Sequence, residues 1–280
     1  MRRYTVARGA MLAFILSLGP AFAEDVAPKF GDCATTGKAG SVSFVTHEPD
    51  TLTVGAVLPG PGWWNGPSPE RIKDGFEYCI AAEIAHRAGV HNLKVKNMAW
   101  DQFISGAATG YDVAMASITI TEPRKQIFDF SQPYFSSNLG VATRSGSDVT
   151  AENIRSKRIG VLQGNMGSDW VVKALRPKTA PALFQSQVDM ITALIANQVD
   201  AVITDTALVL TATKGSNGAL SVVGQYQLDQ GYGIVTPKNS PNTASVDEVV
   251  AELKANGALK ELSADYLAPM FGANPDRVPV

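Results

Sequence analysis

From residue 51 onward, short stretches rich in β-branched and apolar residues alternate with stretches of helical character. The predicted strands are 52–57, 93–97, 112–117, 158–162, 199–204 and 232–236. The predicted helices are 75–88, 100–108, 169–175 and 188–197. Such alternation is typical of mostly parallel sheets with helices on both faces, and continuous apolar runs such as VAMA at 113–116 suit strands covered on both sides. The sequence therefore predicts an α/β fold.

The first 23 residues have the layout of a secretory signal peptide. Arginines at positions 2, 3 and 8 precede an apolar run at 10–18, and AFA at 21–23 is a small-residue cleavage site. The apolar run is too short to be a membrane anchor, because a spanning helix needs roughly 20 residues. We expect cleavage after residue 23 and export of the mature chain.

Charge and motif content exclude several classes of function. Without the three signal-peptide arginines the chain has 21 basic and 26 acidic residues, which gives no electrostatic footprint for nucleic acid. His47, His86 and His91 are scattered without the spacing of metal ligands. No catalytic triad order and no phosphate-binding loop is present. We therefore expect no bound metal, no cofactor and no catalytic residue.

Two cysteines, Cys33 and Cys79, occur in the whole chain. In an oxidising compartment they predict one disulfide, which would tie an N-terminal arm, 24–50, to the body of the protein. Cys79 lies beside the apolar face of the predicted helix 75–88, so a buried free thiol is the alternative.

Polar residues follow the strand predicted at 112–117. Ser117, Thr119 and Arg124 lie where that strand stops and a new helix begins, with Thr121 as a suitable N-cap. Ligands of open α/β sheets bind beyond the carboxyl ends of strands. A helix N-terminus with hydroxyls and one guanidinium is suited to hold a carboxylate.

A second βα unit echoes the first. ISGAATGYDVAMAS and ITALIANQVDAVITD each combine a helix, a turn, an aspartate and an apolar strand, and they end at Ser117 and Asp205. Two equivalent lobes would present these two residues at matching places. The alternative is that any two βα units look alike.

The segment at 117–134, SITITEPRKQIFDFSQPY, resembles the signature of the bacterial extracellular solute-binding proteins of family 3, the periplasmic components of polar amino-acid ABC transporters. Further matches follow in the family's order over 51–268, among them GFEYCIAAEIAHRAG, WDQFISGAATGYD, RIGVLQGNMGS, VDAVITD and GYGIVTPKNS. The resemblance implies a two-lobed, hinged periplasmic binding protein of type II, each lobe a mostly parallel sheet flanked by helices. Lobe I would comprise 51–140 with 235–280, and lobe II 141–234.

The resemblance also implies the ligand-contact residues. The candidates are Trp63, Trp100, Ser117, Thr119, Arg124, Asn165, Met166 and Asp205. Arg124 would clamp the ligand α-carboxylate with help from Ser117 and Thr119, and Asp205 would receive the α-ammonium from the opposite lobe. Trp100 would stack on the ligand. Asn165 and Met166 stand where the family has a Ser-Thr-like pair. The loop LPGPGWWNGPSPE at 58–70 replaces an aromatic turn, so that Trp63 or Trp64 would contact the ligand from a shifted position, with Trp63 as the candidate.

The predicted function is capture of a small zwitterionic solute, an amino acid or a derivative, by a monomeric periplasmic protein that delivers it to a membrane ABC permease. Two alternatives stay open. One is an enzyme similar to the cyclohexadienyl dehydratases, with Asp205 and Glu77 as acidic groups. The other is binding of a quaternary ammonium or cyclic compatible solute by a tryptophan cage through cation–π contacts.

Overall fold

The structure is a computed structural model that describes Met1, residues 30–272 and residues 278–279, apart from the side chain of Asp229. The predicted cleavage site and residues 2–23 of the predicted signal peptide lie outside the described residues. Across the part of the chain that is described, no helix combines the length and apolar character needed to cross a bilayer.

Strands and helices alternate over most of the described chain. In chain order the strands β1 to β10 are Thr51–Ala56, Asn92–Asn97, Val113–Ala114, Phe128–Phe130, Phe135–Arg144, Ile159–Leu162, Ala182–Phe184, Ala201–Asp205, Leu220–Tyr232 and Val235–Pro237. The helices α1 to α9 are Phe76–Ala88, Trp100–Ile104, Glu122–Lys125, Met166–Trp170, Gln187–Ile195, Thr206–Gly215, Thr243–Ala255, Ala258–Leu262 and Ala268–Phe271. Short 3₁₀ or π turns extend or precede several of them.

The strands form two separate five-stranded sheets. The first has the order β2-β1-β3-β10-β4, in which β10 runs antiparallel to both neighbours. The second has the order β7-β6-β8-β5-β9, in which β5 runs antiparallel to both neighbours. Four strands of each sheet therefore share one direction. This confirms the predicted two-lobed α/β fold with mostly parallel sheets flanked by helices.

The chain passes between the sheets twice. It leaves the first sheet after β4 and enters the second with β5, and it returns between β9 and β10. The strands β5 and β9 pair with each other from Phe135 and Tyr232 to Arg144 and Leu220. Both long strands were missed from the sequence, because their serine, asparagine, glycine and glutamine residues interrupt the apolar pattern. The lobe limits given above stay a prediction.

Several element bounds differ from those predicted. The strand predicted at 112–117 is regular only at Val113–Ala114, since Ser117 has a φ of 50°, in the left-handed region that ends a strand. The helix predicted at 100–108 stops at Ile104, close to Gly106 with a φ of 77°. The helix predicted from 169 begins earlier, at Met166.

The disulfide predicted between Cys33 and Cys79 is present, with a Cα–Cα distance of 5.3 Å, and the alternative of a free thiol is wrong. Cys79 lies on α1, where it is buried against the core of the first lobe. The arm is held to the same helix by Thr36, whose hydroxyl donates to Glu83 at 2.9 Å. The disulfide and this contact fasten the arm to the back of α1.

The two βα units that echo each other in sequence have matching contacts. Asp112 accepts a hydrogen bond from the backbone N–H of Thr53, at 2.7 Å, where β1 runs beside β3. Asp200 accepts one from the backbone N–H of Arg158, at 2.8 Å, where β6 runs beside β8. In both lobes an aspartate thus joins the starts of two parallel strands, and the polar residue five positions later lies at the opposite end.

Replacing Cys33 and Cys79 together by alanine should lower the free energy of unfolding by about 2–4 kcal/mol, because the cross-link restricts a loop of 46 residues in the unfolded chain. Urea unfolding followed by circular dichroism measures this. Wild-type protein unfolded with a reductant is the control and should match the variant. Equal stability of oxidised wild type and variant would contradict the proposed role of the cross-link.

Candidate ligand-binding site

Arg124 lies on α3, which follows the first sheet's strand β3. The hydroxyl of Thr121 caps this helix by accepting the backbone N–H of Arg124, at 3.3 Å. The guanidinium is buried and donates to the carbonyl of Thr119 at 2.6 Å and to the carbonyl of Gly164 at 2.9 Å. It also lies over the ring of Trp100, 5.7 Å from the ring centroid. Arg124 therefore contacts both lobes, since Gly164 belongs to the loop after β6.

Asp205 is the last residue of β8 in the second sheet and is fully buried. Its Oδ2 accepts hydrogen bonds from the side-chain amide of Asn165, at 2.9 Å, and from the hydroxyl of Thr204, at 3.3 Å. Its Oδ1 has no hydrogen-bond partner among the described residues. Within that part of the chain the carboxyl group therefore accepts hydrogen bonds of proper geometry through Oδ2 alone.

Arg124 and Asp205 carry opposite charges that influence each other, although no ion pair joins them directly within the described part of the chain. Burial lowers the pKa of Arg124 to about 10, and Asp205 opposes that shift. Burial raises the pKa of Asp205, and hydrogen bonds and Arg124 oppose it. In both cases desolvation outweighs the mutual attraction. A dipolar molecule placed between them would compensate both charges.

A cavity of about 460 Å³ opens beside this pair, between the two lobes. Four of the eight predicted contact residues line it, namely Trp63, Trp100, Ser117 and Asn165. The other four are not among its lining residues. Thr119 is buried and donates its hydroxyl to Gln230 at 3.0 Å, Met166 is half-buried at the start of α4, and Arg124 and Asp205 are sealed by the contacts described above.

Asn165 occupies the N-cap of α4 and joins several parts of the second lobe. Its side-chain oxygen accepts the backbone N–H of Gly167 at 2.7 Å, while its amide donates to Asp205. Asparagine is suited to this position because one side chain both caps a helix and donates to a carboxylate.

Glu77 is a cavity residue to which the sequence gave little weight. It is 1% exposed and accepts hydrogen bonds from the indole of Trp64 at 2.6 Å, the hydroxyl of Tyr134 at 2.5 Å and the backbone N–H of Ser117 at 2.8 Å. Burial raises its pKa, and these three donors oppose the rise. Through the last of them Glu77 holds Ser117 in its left-handed conformation at the cavity wall.

Trp63 joins the cavity to the strands that connect the lobes. Its ring packs edge-on against Phe76 and Phe135, at centroid distances of 5.5 and 5.2 Å, and lies 6.0 Å from Tyr232. Trp63 and Trp64 therefore have different roles, because Trp64 points at Glu77 and is absent from the cavity lining. In the sequence, Trp63 and Trp64 were noticed because two adjacent tryptophans occur inside a glycine- and proline-rich loop.

The loop after β6 closes the space between the lobes. The indole of Trp100 donates to the carbonyl of Gln163 at 2.8 Å, and Arg124 donates to the next carbonyl, that of Gly164. Gly164 has a φ of 71°, and its Cα faces the end of the Ile104 side chain. Its lack of a side chain lets the second lobe approach α2 closely.

The chain is similar to known proteins over most of its length. The model of the bacterial extracellular solute-binding proteins, family 3, matches residues 69–269. The L-cystine-binding protein of Escherichia coli K12 is 28% identical over 211 residues, covering 71% of this chain and 75% of that protein. A probable histidine-binding protein of Neisseria gonorrhoeae is 28% identical over 208 residues, covering 71% and 76%.

Solved structures agree in fold. An ancestral arginine-binding protein bound to arginine is 29% identical with a TM-score of 0.69, covering 79% of this chain and 99% of that one. An ancestral amino acid-binding protein described as a precursor of cyclohexadienyl dehydratase has a TM-score of 0.66 at 22% identity, which supports the fold alone.

Gly164→Ala should lower the thermal midpoint, because the added methyl group meets the end of the Ile104 side chain, which must then move aside. Gly218→Ala is the matched control, since Gly218 has a similar φ of 85° with nothing within 4 Å of the added methyl. We expect a smaller decrease in the control, where only the left-handed backbone is strained, and differential scanning fluorimetry measures both midpoints. Equal midpoints in both variants would mean that Gly164 is not needed for the close approach to Ile104.

Proposed function

The chain belongs to family 3 of the bacterial extracellular solute-binding proteins, and we propose that it captures a small zwitterionic solute between its lobes and delivers it to a membrane ABC permease. The solute class is an amino acid or a close derivative. Relatives named for cystine and histidine binding, and a structural neighbour bound to arginine, support this class. The predicted signal peptide supports the proposed periplasmic location. We propose that the protein acts as a monomer.

One observation carries the proposal: Arg124, on α3 after the first sheet's strand β3, and Asp205, at the end of β8 in the second sheet, are both buried and form no ion pair with each other within the described chain. An unpaired buried charge costs several kcal/mol. A zwitterion supplies a carboxylate for Arg124 and an ammonium for Asp205, a few ångströms apart. Both charges are then compensated only when the lobes meet around the ligand, so binding favours the closed state.

Closure would occur at the two crossings between the sheets, where β4 leads to β5 and β9 leads to β10. Two short connections of this kind are a common hinge in two-lobed binding proteins. The cavity between the lobes leaves room for the ligand side chain against Trp63 and Trp100.

A thermal-shift screen with the twenty amino acids, opines, glycine betaine and ectoine tests the proposal. A ligand present at 100 times its dissociation constant stabilises the folded protein by about 2.7 kcal/mol, so a true ligand raises the midpoint clearly. The proposal expects a shift with one or a few amino acids or their derivatives. Shifts with glycine betaine or ectoine alone would instead support the cage for quaternary or cyclic solutes.

A dehydratase activity is the second candidate, because Glu77 places a buried carboxyl group with a raised pKa in the cavity wall. Such a group could act as a general acid near a leaving hydroxyl. Incubation with prephenate or arogenate distinguishes the candidates. Turnover would support the enzyme, whereas stoichiometric binding without turnover supports the binding protein.

Arg124→Ala should weaken binding of the amino acid found in the screen by about 2–5 kcal/mol, the usual effect of removing one partner of a desolvated charge pair. Isothermal titration calorimetry measures this. Arg124→Lys keeps the charge without the planar fork and should fall between wild type and alanine. The exposed Arg155→Ala is the control. Wild-type affinity of the Arg124→Ala variant would exclude Arg124 as the carboxylate clamp.

Asp205→Asn should keep the fold and lose affinity for the same amino acid. Burial raises the pKa of Asp205, so its charge is unfavourable to the ligand-free protein, and a neutral amide relieves that cost. The thermal midpoint of the ligand-free variant should equal or exceed that of wild type, while calorimetry detects weaker binding. Unchanged affinity would remove Asp205 from the ammonium site.

A further inference from the structure

The strand β9 brings two residues to the site that no motif indicated. Near its end it pairs with the segment after β3: the N–H of Ile120 donates to the carbonyl of Gly231 at 2.9 Å, and the N–H of Gly233 donates to that of Ile118 at 3.1 Å. Thr119 and Tyr232 are thus directly opposite each other.

Side chains two positions apart on a strand point to the same face. Gln230 and Tyr232 therefore share a face with Thr119, and the hydroxyl of Thr119 donates to the side-chain oxygen of Gln230 at 3.0 Å. Thr119 in turn supplies the carbonyl that holds Arg124. This short ladder places both β9 residues beside the predicted carboxylate clamp.

Three buried polar atoms near this ladder lack a hydrogen-bond partner among the described residues. They are the amide nitrogen of Gln230, the hydroxyl of Tyr232 and Oδ1 of Asp205. Gln230 is 2% exposed, and the other two residues are fully buried. Buried polar groups in folded proteins are nearly always hydrogen-bonded, because leaving one unpaired costs about 1–3 kcal/mol. Two donors and one acceptor without hydrogen-bond partners in the same region indicate a binding place for a polar molecule.

The ring of Tyr232 cannot turn away from this place. It stacks on Phe135 at a centroid distance of 5.5 Å and is flanked by Tyr134 at 6.4 Å and Trp63 at 6.0 Å. Burial raises the pKa of Tyr232, the carboxyl of Asp205 adds to that rise and the hydroxyl of Ser137 opposes it, so both groups lie near the Tyr232 hydroxyl. Neither forms a hydrogen bond of proper geometry with it. Tyr232 is an aromatic residue of the core with its polar end directed to the site.

We propose that Tyr232 and Gln230 contact the ligand, Tyr232 completing the ammonium site with Asp205 and Gln230 donating its amide beside Arg124. The inference rests on the proposed function and makes it more specific. A primary ammonium has three N–H donors, so it can serve both Asp205 and the Tyr232 oxygen. A quaternary ammonium has none. The site selects primary amines, and Tyr232 is a determinant of that selection.

Tyr232→Phe tests this directly, because it removes one oxygen and keeps the ring. The probe is the amino acid that binds the wild-type protein most tightly in the screen. We expect the dissociation constant to rise by about tenfold or more, since a hydrogen bond to a charged group is worth roughly that factor. The thermal midpoint of the ligand-free variant should be unchanged or higher, because the lost hydroxyl forms no hydrogen bond of proper geometry with any described residue. Gln230→Ala should also weaken binding.

Tyr226→Phe is the matched control on the same strand, where the ring of Tyr226 packs on Trp170 at a centroid distance of 4.2 Å, and it should bind like wild type. The Nα,Nα-dimethylated form of the probe, whose ammonium keeps a single N–H donor, adds a second readout. Wild type should discriminate against it more strongly than the Tyr232 variant does.

The binding results of these variants distinguish the assignment of Tyr232 to the ligand site from the proposed function. If Arg124→Ala loses binding but Tyr232→Phe binds as tightly as Tyr226→Phe, the assignment of Tyr232 is wrong and the proposed function stands. A lower midpoint of ligand-free Tyr232→Phe with unchanged affinity would give the hydroxyl a structural role and likewise overturn the assignment. If no amino acid binds the wild-type protein, the proposed function and this inference both fail.

Discussion

We propose that ligand binding depends on two opposite charges that are buried and form no ion pair with each other within the described residues. Arg124 lies on α3 after the first sheet's strand β3, Asp205 ends β8 of the second sheet, and burial shifts the pKa of each in the direction that favours the neutral form. A direct ion pair would satisfy both charges without a ligand. Each group instead has hydrogen bonds of its own. The guanidinium donates to carbonyls of Thr119 and Gly164, and the carboxyl accepts from Asn165.

The residues around the pair act as a rigid support. Glu77 connects Trp64, Tyr134 and Ser117, so one buried carboxyl fixes the loop after β1, the entry to β5 and the end of β3. On the other side, Asn165 connects the start of α4 to Asp205. Sites whose side chains are fixed in this way lose little conformational entropy on binding. We propose that closure takes place at the two connections between the sheets.

Sequence was informative where local pattern decides structure. The alternation of strands and helices predicted the α/β fold, and the two cysteines of a chain predicted to be exported predicted the disulfide at Cys33 and Cys79. Positions after strand ends led to Arg124 and Asp205, which the structure places on α3 beside the first sheet and at the end of β8 in the second sheet. Residues whose role depends on contacts between distant parts of the chain could not be identified from the sequence. The proposed roles of Gln230 and Tyr232 depend on the pairing of β9 beside Thr119. Glu77, in the first turn of α1, was named from the sequence only as an acidic group of the enzyme alternative, and its three hydrogen bonds were not predicted.

A crystal structure of the protein with its tightest-binding amino acid tests the central claim most directly. The account predicts that the ligand carboxylate lies within hydrogen-bonding distance of the Arg124 guanidinium, about 2.7–3.2 Å, and that the ligand ammonium lies as close to Asp205. A ligand bound in the cavity with neither group in contact, or held by residues of one lobe alone, would contradict it.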